Sequence, residues 1–236
     1  MMSKMISTGV LVIALAACAM PPAPPPAAPS LMNPIPSSQT RDAALIDAAG
    51  KGDLATVQHL LAQGTSVKAA DSAGRTALIA AAYGDHVAVA KTLIDAGADV
   101  NVKDNTLQSA YLIPTADGGL EMLQLALAHG ADVHSLDSYN GTGLIRAADR
   151  GHVEIIRELL KTGINIDHVN RLGWTALLEA IILGDGGARH TEVVRLLVDA
   201  GANVNLADSA GVTPLAHARQ RSFDAIIRIL ESAGAK

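Results

Sequence analysis

Few residues in this chain have the types and spacing that chemistry requires. The turns at residues 71–74 and 208–211 both read Asp-Ser-Ala-Gly, but their recurrence at equivalent places indicates ordinary turns and not nucleophile elbows. Residues 141–143 (Gly-Thr-Gly) lack the third glycine of a dinucleotide loop, and residues 184–187 lack the Gly-Lys-Ser/Thr sequence of a phosphate loop. The sequence therefore predicts no catalytic residues, no enzymatic activity and no cofactor.

Histidine and cysteine do not complete a metal site either. His190 and Glu192 lie two residues apart and could form a metal pair, but the sequence offers no third ligand beside them. His86 and His152 occupy matching places in the pattern described below, which favours a structural role. The single cysteine excludes an intramolecular disulfide and a cluster of thiolates. We therefore predict no metal site.

The composition excludes several classes of fold and partner. Aromatic residues make up only 2% of the 236 residues, which disfavours β-sandwiches and barrels because these depend on aromatic and β-branched strands. The chain carries 18 basic and 23 acidic residues, a net charge of -5, and so lacks the basic surface that nucleic acids require. We therefore expect no nucleic-acid partner.

The N-terminus has the features of an export signal. Lys4 precedes a largely apolar stretch at residues 5–17, which is shorter than the ~20 residues that a membrane-spanning helix needs. The stretch ends in Leu-Ala-Ala-Cys, which is similar to a bacterial lipobox, where the cysteine is acylated and becomes the first mature residue. We predict a lipoprotein-type signal peptide at residues 1–17 and lipidation of Cys18. Ordinary cleavage beside an incidental cysteine is the alternative.

A proline-rich segment separates this signal from the rest of the chain. Eight of the ten prolines lie between Pro21 and Pro36, and such a run favours an extended polyproline II spacer. We predict a tether at residues 18–37. Ala19, not Asp, follows the cysteine, as is typical of outer-membrane lipoproteins of Gram-negative bacteria. The expected location is the periplasm, with anchoring to the outer membrane through the N-terminal lipid only.

The remainder of the chain repeats itself with a period of 33 residues. Glycines at positions 64, 97, 130, 163, 201 and 234 are spaced by 33, 33, 33, 38 and 33 residues. The sequences Leu-Ile-Asp-Ala-Gly-Ala-Asp-Val-Asn (93–101) and Leu-Val-Asp-Ala-Gly-Ala-Asn-Val-Asn (197–205) are copies of one unit. A polar turn residue keeps the same spacing, at Asp71, Asp104, Asp137, Asn170 and Asp208.

This period, together with Gly-Ala-Asp-Val-Asn and Asp-x-x-Gly-x-Thr-x-Leu, resembles the ankyrin-repeat family over residues 41–236. The resemblance implies an all-α solenoid of about six helix-turn-helix units with short β-hairpin-like turns. The predicted domain, residues 38–236, divides into units 41–70, 71–103, 104–136, 137–169, 170–207 and 208–236. Polar residues in the first unit, among them Lys51 and Gln58, suit an N-terminal cap.

The structure of one unit can be predicted residue by residue. Thr76 is the expected N-cap of a first helix at residues 77–83, and a second helix is expected at residues 87–96. Gly97 and Gly163 follow second helices, and we expect both to adopt the left-handed conformation that ends a helix. Because one helix pair cannot bury its own apolar faces, the six pairs must stack on one another.

Two units depart from the pattern. In the third, Leu107 replaces the turn glycine, Tyr111 replaces a helix leucine, and Pro114 lies inside the first helix, which we expect to be distorted. The fifth unit has five extra residues within residues 184–191, where we expect a protruding loop. Such a loop is either a binding element or a tolerated surface insertion.

The resemblance implies binding of a macromolecule through a concave face built from turns and first helices. The only tryptophan, Trp174, lies in such a turn, and Trp, Tyr and Arg are enriched in binding hot spots. The alternative is that Trp174 packs under the insertion of its own unit. The predicted partner-binding residues are Trp174, Tyr139, Arg171, Leu172, Arg150, Leu183, Arg189 and His190.

The function implied by the resemblance is binding of a protein partner by a monomer. Likeness to periplasmic ankyrin-repeat proteins of bacteria implies a protective role, either immunity to a secreted toxin or support of a catalase against oxidative stress. The alternative is a small-ligand or envelope-enzyme module whose site is the 184–191 loop. A neighbouring toxin or catalase gene would favour the first function, and a pocket of convergent polar groups beside Arg189 and His190 would favour the second.

Overall fold

The computed structural model describes residues 38–236, and every regular element in this range is a helix. The predicted signal peptide, Cys18 and the tether lie outside the described residues. The helices form six pairs, which confirms the all-α solenoid. They are α1 (Ser38–Gly50), α2 (Leu54–Ala62), α3 (Ala77–Tyr83), α4 (Val87–Asp95), α5 (Leu112–Asp117), α6 (Leu120–Ala128), α7 (Gly143–Arg150), α8 (Val153–Leu160), α9 (Ala176–Ile182), α10 (Ala188–Asp199), α11 (Pro214–Gln220) and α12 (Asp224–Ser232).

The helices stack in two layers. Each first helix contacts the first helix of the next pair, from α1 to α11, and the second helices contact one another in the same way from α2 to α12. Buried side chains form a smaller N-terminal cluster between Leu45 and Met122 and a larger C-terminal cluster between Tyr111 and Leu230. The third repeat contributes to both, with Ile113 in the first cluster and Leu112 in the second. In residues 38–236 no helix has the length and apolar character needed to cross a bilayer.

Threonine caps the first helix in four of the repeats. Oγ1 of Thr76 accepts a hydrogen bond from the N–H of Ile79 at 3.3 Å, and Thr142, Thr175 and Thr213 cap their helices in the same way. This bond satisfies one of the free N–H groups at a helix start. The first helix of the second repeat, α3, spans the predicted residues, and α4 ends one residue earlier than expected.

Asparagine at the end of the Gly-Ala-Asp-Val-Asn motif links neighbouring repeats. Oδ1 of Asn101 accepts the N–H of Asp132 at 2.8 Å, and its Nδ2 donates to the carbonyl of Gly130 at 3.0 Å. Asn205 makes the same two contacts with the last turn of the chain, at 2.9 and 3.5 Å. These bonds satisfy polar backbone groups at the junctions between second helices and turns.

The glycine after a second helix is left-handed in most repeats, but not in the fourth. The φ of Gly97 is 93°, and the N–H of the following residue bonds to the carbonyl of Leu93 at 3.0 Å, as in a Schellman motif. The prediction for Gly163 is wrong, because its φ is not positive. There Oγ1 of Thr162 donates to the carbonyl of Leu159 at 2.6 Å and accepts the N–H of residue 164 at 3.3 Å. The hydroxyl therefore replaces the direct backbone bond.

Pro114 coincides with a shortened first helix in the third repeat. Helix α5 has only six residues and begins at Leu112, whose N–H donates to Oγ of Ser109 at 3.1 Å. Pro114 therefore lies in the first turn, where a helix N–H has no partner within the helix. The expected distortion takes the form of a late start.

Leu107 adopts the left-handed conformation of the glycine that it replaces. Its φ is 63°, and the glycines at the equivalent positions, Gly74 and Gly173, have φ values of 76° and 81°. A side chain in this conformation costs about 1–2 kcal/mol. Because the leucine is 43% exposed, packing offsets little of this strain.

The insertion of the fifth repeat does not protrude. Helix α10 is 12 residues long against nine for α4, so part of the insertion is helical. A Cβ atom at Gly184 would collide with the carbonyl of Ala180, and one at Gly186 would collide with the ring of Phe223. The expectation of a protruding loop is therefore wrong, since the glycines let the segment pack against its own helix and against the next repeat.

Candidate functional site

A groove of about 210 Å³ lies between the fourth and fifth repeats on the side of the turns. Three predicted residues line it and are exposed: Tyr139 by 61%, Leu172 by 45% and Leu183 by 51%. We call it the turn-side groove. Its other lining residues are Asp137, Gly141, Ile145, Arg146, Asp149, Asn170 and Glu179.

The turn residue of the fourth and sixth repeats pairs with a side chain nine positions later, in the first helix. Nη1 of Arg146 lies 3.1 Å from Oδ2 of Asp137, and Nε2 of His217 lies 2.8 Å from Oδ2 of Asp208. All four side chains are at most 17% exposed. Each pair connects the tip of a turn to the middle of the following helix.

In the fifth repeat the acidic residue of this pair lies in the helix and not in the turn. Asn170 stands in place of the aspartate and Glu179 in place of the basic residue, and Nδ2 of Asn170 donates to Oε1 of Glu179 at 2.7 Å. Glu179 is 4% exposed, and its buried Oε2 has no hydrogen-bond partner among the described residues.

The surroundings of Glu179 disfavour its charged form. Burial raises the pKa of the Glu179 carboxyl to about 7; the hydrogen bond from Asn170 lowers this pKa, and the negative charges of Asp149 and Asp137 raise it. The groove thus contains a buried carboxyl group to which no cationic side chain of the described residues is hydrogen-bonded.

Three other predicted residues lie within two positions of groove residues in the chain without lining the groove. Trp174 is partly buried, and its backbone N–H donates to Oδ1 of Asn170 at 3.1 Å. Nη1 of Arg171 donates to the carbonyl of Ser138 at 2.9 Å. The Arg150 side chain is 63% exposed and pairs with the neighbouring aspartate at 3.2 Å. The role of these three residues in binding stays a prediction.

Arg189 and His190 do not line the groove. His190 is 6% exposed, with Nδ1 2.9 Å from Oδ1 of Asp185 and Nε2 3.1 Å from the carbonyl oxygen of Asp149. The prediction that His190 contacts a partner is wrong, because its ring is enclosed by its own repeat and the preceding one. Arg189 borders a separate, open depression together with Gly151.

His190 takes the place of a histidine that recurs in the array. Nε2 of His86 and of His152 lies 3.2 and 2.9 Å from the carbonyl oxygen of the residue 36 positions earlier. For His190 the separation is 41 positions, and the difference of five equals the insertion. Both ring nitrogens thus contact protein atoms, which leaves neither free to bind a metal with Glu192. Within residues 38–236 no group of three or more His, Cys, Asp and Glu side chains is placed to hold a metal ion.

Sequence reasoning missed Glu179, Asn170 and Arg146. The signal lies in the position nine residues after each turn residue, which is apolar in the second and third repeats (Ala80 and Ile113) and ionisable in the last three. The change from Asp to Asn at position 170 accompanies the change from a basic to an acidic partner.

Comparisons with known proteins match this architecture. A family model described as ankyrin repeats (3 copies) matches residues 17–104 and 112–208. The solved ankyrin repeat domain ABAYE2397 from Acinetobacter baumannii AYE is 51% identical, with a TM-score of 0.79 over 82% of this chain and 98% of that one. The ankyrin repeat protein EF0377 is 35% identical, with a TM-score of 0.77 over 83% of this chain and 98% of its own.

A curated relative matches a shorter segment. The ankyrin repeat protein YahD of Escherichia coli (strain K12) is 42% identical over 64 residues, which are 27% of this chain. The match spans 32% of the length of YahD.

Proposed function

This chain belongs to the ankyrin-repeat family, and we propose that it is an exported, lipid-anchored protein that binds a protein partner through the turn side of its fourth and fifth repeats. Ankyrin repeats are generally modules of protein–protein interaction and typically not enzymes. The family therefore supplies the class of function, and the turn-side groove supplies the candidate surface.

The observation that carries the proposal is the cluster of three exposed apolar side chains at the groove. Tyr139, Leu172 and Leu183 come from two turns and one helix end, yet all three line the same depression. Clustered exposed apolar side chains with polar neighbours mark interaction sites, and a central tyrosine is a frequent hot spot. A partner that covers this groove would remove these side chains from water.

The N-terminal sequence supports the location that we propose. The apolar stretch at residues 5–17 and the Leu-Ala-Ala-Cys sequence fit a lipoprotein signal, and Ala19 fits sorting to the outer membrane. The proline-rich residues 18–37 then act as a spacer between the lipid and the repeats.

We further propose that the partner relationship is protective, as immunity to a secreted toxin or as support of a catalase. Neighbouring genes test this proposal directly, since a toxin gene or a catalase gene beside this one would name the partner. A small-ligand or enzymatic role for the 184–191 loop has less support, because the loop packs against its surroundings and His190 is buried.

Quantitative capture from envelope extracts tests the binding surface. The variant Tyr139→Ala/Leu172→Ala is expected to weaken capture of specific proteins by about 2 kcal/mol or more while its melting temperature stays close to that of the unmodified chain. The control is Val102→Ala, which shortens a 37% exposed side chain in another repeat. Equal capture by the unmodified chain, the double variant and the control would reject the groove as the interface.

Trp174→Ala separates the two roles left open for the tryptophan. If Trp174 contacts the partner, the Trp174→Ala variant is expected to weaken capture by roughly 2 kcal/mol with little change in melting temperature. If Trp174 is a scaffold residue, the same variant is expected to lower the melting temperature and leave capture unchanged. Measuring both quantities on the same preparation distinguishes the roles.

A further inference from the structure

We propose that the turn-side groove receives a lysine side chain of the protein partner, with the Glu179 carboxylate as its counter-ion. This inference rests on the proposed function, because it specifies the chemistry of the partner surface that the groove would bind. The unpartnered carboxyl oxygen, the charges around it and the shape of the groove support it.

One carboxyl oxygen of Glu179 lacks a hydrogen-bond partner within residues 38–236. Oε2 of Glu179 is buried and has no hydrogen-bond partner among the described residues, while Oε1 accepts from Asn170. A buried polar atom without a partner is costly, and the great majority of such atoms in native proteins are satisfied. A donor brought by a partner protein would complete the hydrogen bonding of this carboxylate.

The charges that line the groove favour a cationic ligand. Arg146 is the cation among its lining residues. Its Nη1 is bonded to Asp137 at 3.1 Å and its Nη2 to Oε1 of Gln108 at 2.9 Å. Its buried Nε has no hydrogen-bond partner in the part of the chain that the structure describes, so none of its nitrogens is bonded to Glu179. Asp149 pairs with Arg150 at the edge of the groove, where its own side chain is 34% exposed. Glu179 is thus the acidic group of the groove that has no basic partner. A cationic group is the complementary ligand.

The size and the walls of the groove suit one long side chain. The groove volume of about 210 Å³ is smaller than the ~300–1,000 Å³ of typical small-molecule pockets, so it suits a single side chain. Ile145, Leu172 and Leu183 provide apolar walls along which the methylene stem of a lysine can pack while its ammonium group approaches the carboxylate. The groove therefore matches both parts of a lysine side chain.

Lysine fits better than arginine because only one oxygen is free. The guanidinium group of arginine binds carboxylates best through two parallel hydrogen bonds, which require both oxygens. Asn170 already occupies Oε1 of Glu179, which leaves Oε2 for a single donor. An ammonium group acts as a point charge and needs only that one contact.

The test is a titration of the chain, monitored by NMR, with the peptide acetyl-Ala-Lys-Ala-amide in the millimolar range. Matched peptides carry arginine or Nε-acetyl-lysine in place of lysine. The lysine peptide is expected to shift the methyl signals of Ile145, Leu172 and Leu183 saturably and to lower the pKa of Glu179, followed through its carboxyl carbon. The acetylated peptide is expected to cause neither change, because it has no positive charge.

Two variants complete the test. Glu179→Gln is expected to weaken binding of the lysine peptide roughly tenfold or more, and the exposed Glu154→Gln, with the same change of charge, is expected to leave it unchanged. Circular dichroism of both variants verifies that they fold. Equal binding of the acetylated peptide, tighter binding of the arginine peptide, unchanged binding by Glu179→Gln or no shift at the groove would each overturn the proposal.

The outcome is separable from that of the proposed function. If Tyr139→Ala/Leu172→Ala loses its protein partners while the lysine peptide fails to bind the groove, the binding surface stands and the lysine inference is rejected. If neither experiment changes anything at the groove, both are rejected.

Discussion

At the level of single residues, the fifth repeat keeps a contact while reversing its charge. The pairs Asp137–Arg146 and Asp208–His217 join a turn to a helix with the acid in the turn, whereas Asn170–Glu179 joins them with the acid in the helix. An aspartate at position 170 would place two carboxylates within hydrogen-bonding distance, which disfavours ionisation of both. Asparagine is therefore the turn residue that tolerates a glutamate at position 179.

Glu179 is expected to make the repeats less stable as the pH rises. Its pKa is about 7 in the folded chain against an ordinary value of 4.5, so the folded state binds more protons between these values. The stabilising contribution of Glu179 to the free energy of unfolding is fully present below about pH 4.5 and is lost as the pH rises through about 7. The total loss is at most about 3 kcal/mol. Urea unfolding on both sides of this window measures it.

Glu179→Gln is the comparison for this measurement. The variant keeps a carbonyl oxygen for Asn170 and removes the titration, so the fall in unfolding free energy with pH should be smaller than in the unmodified chain. Glu154→Gln should retain the original slope. Parallel slopes for Glu179→Gln and the unmodified chain would contradict the assignment.

The two glycines that follow similar second helices should respond differently to valine. Gly97→Val is expected to lower the free energy of unfolding by more than about 1 kcal/mol, because a β-branched side chain is strained at a φ of 93°. Gly163→Val is expected to change it by less than about 0.5 kcal/mol, since its φ is not positive and a Cβ there meets no atom within 4 Å. Thermal and urea unfolding measure both changes. Similar losses of unfolding free energy in the two variants would contradict the conclusion that the two helices end in different backbone conformations.

At the level of elements, the sequence predicted what depends on neighbouring residues in the chain. Helix α3 and its cap Thr76 follow from a local pattern, as do the positions of Tyr139 and Leu172 in turns. The late start of α5 depends on Ser109, and the packing of the 184–191 segment depends on Phe223 of the next repeat. Such contacts become visible only when the repeats are stacked.

In the candidate site, too, local features could be predicted and contacts between repeats could not. Exposed apolar residues in turns can be predicted from their position in the repeat, and the structure places three of them at one groove. The unpartnered Oε2 of Glu179 cannot be predicted in this way, because it depends on Arg146 of the preceding repeat directing its Nη1 and Nη2 to Asp137 and Gln108. His190 was misassigned because the insertion shifts it out of the periodic alignment with His86 and His152.

The turn of the third repeat should be stabilised by restoring glycine. Leu107→Gly is expected to raise the free energy of unfolding by about 1 kcal/mol, because it relieves the strain of a left-handed leucine whose side chain is 43% exposed. Leu107→Ala is the control, since it shortens the side chain but keeps a Cβ at the same φ. Denaturant midpoints measure the effect, and equal midpoints for Gly and Ala would show that the backbone is not strained there.

At the level of the whole molecule, the stack divides its buried side chains between two clusters that meet in the third repeat. The first helix of that repeat has only six residues. The turn-side groove lies in the larger cluster, where α7 and α9 contact each other. The candidate site is therefore supported by repeats on both sides.

Cys18→Ser tests the proposed anchoring of this stack. The unmodified protein is expected in the detergent phase, because several acyl chains hold a protein at a membrane where one chain gives only marginal binding. The variant is expected in the soluble periplasmic fraction or as an unprocessed precursor. Phase partitioning and intact mass measure this, and identical results for both proteins would reject lipidation.

The division into two clusters also affects how an anchored chain would respond to mechanical load. Under the proposed anchoring at Cys18, a pull between the membrane and a bound partner enters the stack through α1. Each repeat contacts only its neighbours, so the load passes from repeat to repeat and the weakest part of the loaded stack opens first. The N-terminal cluster has fewer buried side chains than the C-terminal one and α5 is short, so we expect these repeats to open before the helices around Glu179. The first repeats would then extend under load while the partner stays bound.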